Sequence, residues 1–202
     1  IYYNGIKQSV SHPSIIPDYS ILDCKALISL PEYQKKCTLL DALCQGIESW
    51  WSVNSTCESI EYSKKAVKLI SDYMNSYIND NSFEAAKNIM LASNYAGKAI
   101  NITQTTAAHA MSYKLTSLYN IPHGHAVSVC LPEVWKFMLE NKSKCIDKRG
   151  YTYLVEIFND ISYSLFGTDS KHAIGSFKNM LKTMGINNPD SENRESDLSV
   201  LT

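Results

Sequence analysis

From Leu39 onward the apolar residues fall at helical spacing: Leu39, Leu40, Leu43, Ile47 and Trp50 recur every three or four positions. Before Leu39 they do not. The stretches IYYNG and KQSVSHPSIIPDYSILD read as strand and loop, because Pro13 and Pro17 bar a continuous helix. Tyr19 to Leu22 is predicted as a short buried strand. The Ser55-Thr56-Cys57-Glu58 capping-box pattern opens a second helix that buries Ile60, Val67, Ile70 and Met74. Asn81 followed by Glu84 opens a third, running through Ala85, Ile89, Ala92 and Ala96. Its end is rich in small residues (Ala92, Ser93, Ala96, Gly97, Ala99), which predicts a central helix with neighbours packed closely all round.

A fourth helix is predicted over roughly Thr105 to Leu118, ending before Ile121-Pro122. A fifth starts near His123 and is interrupted at Pro132. Two more follow, about Tyr151–Phe166 and Ser170–Met184, each stopped by a glycine, Gly167 and Gly185, in the C-cap position. Asn187 to Ser196 is polar and reads as a loop, with a new helix opening at Asp197. The pattern as a whole predicts an all-α domain with a short β and loop remnant at its N-terminus.

The 45% hydrophobic content of this 202-residue chain supplies a real core for such a domain. A net charge of -1 gives no electrostatic case for nucleic acid or an anionic membrane as partner. Lys64, Lys65 and Lys68 follow Glu58 and Glu61 and read as a solvated helix face. No apolar run approaches the ~20 residues that span a membrane. The six cysteines show no CxxC or other zinc spacing and no secretory signal precedes them, so they read as reduced thiols of a cytoplasmic protein. Cys44 is expected to pack as a small hydrophobe. Trp50 and Trp51 are assigned to the core, a homodimer interface being the other use of such aromatics. The chain begins with Ile1 and ends at Thr202, inside the last predicted helix, and reads as a fragment of a longer protein.

Candidate chemistry is concentrated in AAHAMSYKLTSLYNIPHGHA, which sets His109 and His123 on either side of a short helical segment, with His125 just beyond. His123 lies between a proline and Gly124, at the mouth of a helix where backbone can approach closely. Upstream, LDALCQGIES carries Asp41 and, one turn later on the same helix face, Gln45. Two imidazoles and a carboxylate from separate helices make an open metal site of the kind that polarises an oxygen atom. Taken singly, the same residues also fit hydrogen-bonded core histidines and an aspartate favoured by a helix dipole. No glycine-rich phosphate loop occurs.

LDALCQGIESWWSVNS, MLASNYAGKAIN and HAMSYKLTSLYNIPHGHAVSVCLP, in this order and separation, resemble the iron-containing (group III) alcohol dehydrogenases. The resemblance extends from KQSVSHPSIIPDYSILD to Met184. It implies an N-terminal dinucleotide-binding α/β domain, of which residues 1–35 are the end and linker, and a C-terminal helical metal-binding domain, residues 36–202. It implies metal ligation by Asp41, His109 and His123, with Fe2+ or Zn2+ as the ion and NAD(H) or NADP(H) as the cofactor. Gln45 stands where the family has a further histidine ligand, and an amide oxygen is a poor ligand for either ion. Tyr113 replaces another family histidine, where it either hydrogen-bonds substrate or simply packs. Lys7 matches a lysine that contacts the nicotinamide end of the cofactor.

The implied reaction is reduction of a small aldehyde, or oxidation of its alcohol, with this chain inactive alone. Gln45, GKAINITQTTAAHAMSYKLT and PHGHA resemble the branch of the family that reduces phosphonoacetaldehyde to 2-hydroxyethylphosphonate. An anionic substrate of that kind calls for cations and donors near the metal, for which Lys98, Gln104, Thr105, Lys114 and His125 are the candidates. Return of the proton falls to water or to a relay through His125 or Tyr113. Two other readings share the architecture: a non-catalytic helical module, and a metal-dependent lyase of the dehydroquinate synthase kind.

Overall fold

The computed structural model describes residues 12–189 together with the backbone of residues 2–3 and 6–7. Described β structure is confined to a two-residue antiparallel pair, β1 (Tyr2–Tyr3) and β2 (Ile6–Lys7), with Tyr2 opposite Lys7. Helices follow: α1 (Lys25–Ile28), α2 (Glu32–Trp51), α3 (Cys57–Asn79), α4 (Phe83–Thr103), α5 (Ala107–Tyr119), α6 (His123–Glu140), α7 (Tyr151–Phe166) and α8 (Ser170–Thr183). The all-α prediction therefore holds. The helix expected to open at Asp197 and the end of the polar loop before it lie outside the described residues.

The central helix is α2, not the small-residue helix. It starts directly after Pro31, well before the apolar repeat begins, and packs against α3, α4, α6 and α7. Leu39, Leu40, Leu43, Cys44, Ile47 and Trp50 are all buried along it. By contrast α4 buries one stripe, Ala85, Ala92, Ala96 and Ala99, and exposes Lys87, Leu91 and Lys98 on the other side. Its small residues serve a close approach on one face. Trp51, Trp135 and Phe158 meet at ring-centroid distances of 5.7 to 5.8 Å and join α2, α6 and α7. Trp50 and Trp51 are thus core residues, as expected.

Four local expectations shift. Tyr19 to Leu22 forms no strand: Tyr19 and Ile21 are 90% and 92% exposed, and an isolated strand leaves its ladder groups without partners. The capping box of α3 sits one residue later than the pattern suggested. Thr56 Oγ1 accepts from the Ser59 amide at 3.2 Å, Ser59 Oγ accepts from the Thr56 amide at 2.9 Å, and Glu58 instead accepts from the Tyr62 hydroxyl. Ser82 rather than Asn81 caps α4, Asn81 taking a φ of 51° in the turn before it. Finally, α6 runs through Pro132 to Glu140. A proline there costs one backbone hydrogen bond, and the burial of Val127, Leu131, Pro132 and Trp135 outweighs it.

Beyond α6 the chain is fastened by Arg149. Its guanidinium donates to the Ser52 carbonyl at 2.8 Å and the Ser55 hydroxyl at 2.8 Å, and pairs with buried Asp147 at 2.7 Å. This ties the corner between α2 and α3 to the loop that precedes α7. Gly167 and Gly185 take the expected positive φ, 64° and 72°, after α7 and α8. All six cysteines are unpaired. No helix among the described residues is long and apolar enough to cross a membrane.

Candidate metal centre

Three helices bring the cluster together. Asp41 lies within α2, His109 in the first turn of α5, and His123 is the first residue of α6. Two helix N-termini, each with a partial positive charge, therefore converge on the carboxylates of α2. Asp41 Oδ1 lies 3.3 Å from His109 Nε2 and 3.7 Å from His123 Nε2. One ligand atom from each of the three residues falls within 4.8 Å of the others.

The ring orientations follow from partners on the far side of each imidazole. Glu48 is wholly buried on α2. Its Oε2 accepts from His109 Nδ1, while Oε1 accepts from the Thr106, Ala108 and His109 amides and from the Thr106 hydroxyl. One carboxylate thus caps α5 and fixes the His109 tautomer with Nε2 turned to Asp41. Ser112 donates to the His109 carbonyl at 2.6 Å, so its oxygen accepts from His123 Nδ1 at 3.2 Å. That again turns Nε2 toward Asp41. Outer partners of this type orient metal-ligating histidines.

Two atoms in the centre are buried without a hydrogen-bond partner: Asp41 Oδ1 and His109 Nε2. Such orphaned atoms are costly unless something satisfies them. One anionic oxygen facing two imidazole nitrogens is a donor set that suits divalent iron or zinc. Burial opposes a charge on His109, but the Asp41 and Glu48 carboxylates beside it outweigh burial and push its pKa up to about 9. A cation bound at Nε2 would take the place of that proton. Cys44, three residues beyond Asp41 on α2, is not a thiolate: burial, with the Glu48 and Asp41 charges, holds its thiol well above the usual range. It packs as a small hydrophobe, as expected.

Close packing sets the cluster's dimensions. A β-carbon on Gly124 would lie 1.9 Å from the Cys37 carbonyl oxygen and 3.0 Å from Asp41 Cβ. The N-terminus of α6 therefore rests on the backbone of α2, as the Pro-His-Gly sequence suggested.

The remaining candidates are dispersed. Gln45 Nε2 donates to Asp41 Oδ2 at 3.2 Å. Tyr113 stacks on His123, rings 5.5 Å apart and 11° from parallel, and so lies beside the cluster. His125 is buried with both nitrogens engaged: Nε2 donates to the Asn187 carbonyl at 2.7 Å and Nδ1 accepts from the Tyr33 hydroxyl at 2.8 Å. It fastens α6 to α2 and to the segment after α8. Lys98 lines a surface groove with His12, Ile16, Met90 and Asn94 that includes none of Asp41, His109 and His123, its Nζ 5.8 Å from the Tyr62 and Tyr95 rings. Gln104 ends α4 with a φ of 62° and is exposed, as is Lys114 on α5. The Lys7 side chain lies outside what the structure describes.

Sequence reasoning gave no role to Glu48, Ser112 or Thr106. Glu48 carried a signal: a lone carboxylate in the apolar run CQGIESWW, two turns beyond Asp41 on the same face of α2. Ser112, one turn after His109, carried a weaker one.

Residues 36–197 match the profile of the Fe-containing alcohol dehydrogenase family, C-terminal. The chain is 32% identical over 171 residues to a phosphonoacetaldehyde reductase of Streptomyces viridochromogenes, a match covering 83% of this chain and 43% of that protein. It is 27% identical over 186 residues to the probable alcohol dehydrogenase EutG of Escherichia coli, covering 91% of this chain and 44% of that one. Among solved structures, an iron-containing alcohol dehydrogenase from Thermococcus thioreducens superposes with a TM-score of 0.83 at 25% identity, over 95% of this chain and 49% of that one. The chain thus spans less than half the length of these relatives.

Proposed function

The chain belongs to the Fe-containing alcohol dehydrogenase family, and from that premise we propose that it is the metal-holding part of an NAD(P)H-linked aldehyde reductase, reversible as an alcohol dehydrogenase. The observation that carries this reading is the pair of buried, unsatisfied atoms, Asp41 Oδ1 and His109 Nε2, facing each other beside His123. Residues 36–202 are assigned to the metal domain and residues 1–35 to the end of a nucleotide-binding domain.

A divalent iron or zinc ion held by Asp41, His109 and His123 would supply Lewis-acid polarisation of a carbonyl oxygen, and a nicotinamide, NAD(H) or NADP(H), would supply the hydride. The chain's own residues do the rest. Asp41 gives the site its negative charge. Glu48 and Ser112 hold the two imidazoles by Nδ1, so that each presents Nε2 to the centre. Tyr113, stacked on His123, is assigned to contact with the substrate.

The substrate we favour is a small aldehyde bearing an anionic group, phosphonoacetaldehyde being the example suggested by the Streptomyces relative. The test is turnover by the intact protein of phosphonoacetaldehyde beside acetaldehyde and propanal, followed by nicotinamide absorbance. A preference in kcat/KM of about tenfold or more, ~1.4 kcal/mol of transition-state binding, supports the substrate class. Equal turnover of the alkanals removes it. No nicotinamide oxidation with any aldehyde, in a metal-loaded protein, removes the reductase.

A further inference from the structure

Asp41 and Gln45 stand one turn apart on α2, the spacing at which amide and carboxylate side chains meet on a helix surface. Gln45 Nε2 lies 3.2 Å from Asp41 Oδ2. An ionised carboxylate only accepts hydrogen bonds, so the amide must face it with its NH2 group. Turning the Gln45 carbonyl oxygen inward instead would set two electronegative oxygens against each other. The two carboxylate oxygens are thereby given different tasks. Oδ2 is taken up by Gln45, and Oδ1 is left facing the imidazoles at 3.3 and 3.7 Å.

The same division recurs at the other two members of the cluster. Glu48 holds His109 by Nδ1 and Ser112 holds His123 by Nδ1, leaving each Nε2 toward the centre. Every inner atom has an outer partner on its own side chain. Gln45 completes this outer ring and contributes nothing to the inner one.

We infer that Gln45 is a positioning residue for Asp41 and not a metal ligand, so that the protein supplies a divalent ion with one oxygen and two nitrogens only. The inference rests on the metal-centre reading of Asp41, His109 and His123. With three protein donors, the remaining coordination positions stay open to water and to substrate oxygen atoms.

The test is Co2+ binding to the intact protein, followed by its visible absorption and X-ray absorption, in wild type, Gln45→Leu and Gln45→His. Gln45→Leu is expected to keep the wild-type number and type of donors and to bind about tenfold more weakly, the usual scale for loss of an outer partner. Gln45→His is expected to add a nitrogen donor and change the spectrum. Loss of an oxygen donor in Gln45→Leu, or unchanged affinity there, overturns the inference. So does an unchanged count of nitrogen donors in Gln45→His, which decides the matter even where the leucine variant fails to fold. Wild type taking up no Co2+ overturns the metal-centre reading itself, an outcome distinct from the others.

Discussion

Gly124 rests so closely on Cys37 that a β-carbon added to it would stand 1.9 Å from the Cys37 carbonyl oxygen. The obstacle is main chain, which cannot rotate away, so any side chain at 124 must push α6 off α2. His123 would then move away from Asp41. Gly124→Ala is expected to cost roughly 3 kcal/mol or more of stability, the upper end for overpacking, and to abolish metal binding. Denaturant unfolding and metal analysis of the variant check both. A normally stable Gly124→Ala protein would show that the two helices are free to separate.

Glu48 is the other point on which the centre depends. A fully buried carboxylate that serves three amides, a hydroxyl and an imidazole leaves all of them unsatisfied when it is removed. Glu48→Ala is expected to lose about 3–5 kcal/mol. Where the variant still folds, metal affinity should fall by about 10- to 100-fold, because His109 loses the partner that fixes its tautomer. A Glu48→Ala protein of wild-type stability would contradict the assignment.

Asp147 gives the fold an acid-sensitive joint. Hydrogen bonds from the Arg149 side chain hold its carboxyl below the ordinary value of 3.8. A carboxylate whose folded pKa is depressed adds stability that is fully present above its unfolded value. That stability disappears as pH falls through the lower, folded value. The wild type should therefore lose stability below about pH 4, part of it through this pair. Asp147→Asn should be less stable at pH 7 and show a shallower acid limb. Unfolding midpoints from pH 7 down to pH 2.5 measure it, and parallel curves for the two proteins would rule out the contribution.

Much of the helical frame was legible because its signals are local. The repeat through Leu39, Leu43, Ile47 and Trp50, and the glycines at 167 and 185, depend only on neighbours in sequence. The cap of α3 was misplaced by one residue because Ser55 and Thr56 are both competent caps and only the completed turn selects Thr56. Tyr19 to Leu22 has strand-like composition, but a strand exists only with a partner, which no sequence window contains. Pro132 reads as a break, and only its burial in the core shows why the helix continues. The two histidines and Asp41 were found through a family resemblance as much as through spacing. Glu48 escaped because its role is created by the N-terminus of α5, far along the chain. His125 was singled out as a chemical group, yet its two nitrogens are engaged by Tyr33 and by the backbone of Asn187.

The most direct test of the central claim is metal content. The intact protein, its His109→Ala and His123→Ala variants, and Asp41→Ala should be purified in parallel and analysed by plasma mass spectrometry after loading with Fe2+ or Zn2+. About one equivalent in wild type and almost none in each variant is the expected result, since a three-donor site does not survive loss of a donor. Wild type without metal, or variants that keep it, would contradict the assignment of Asp41, His109 and His123.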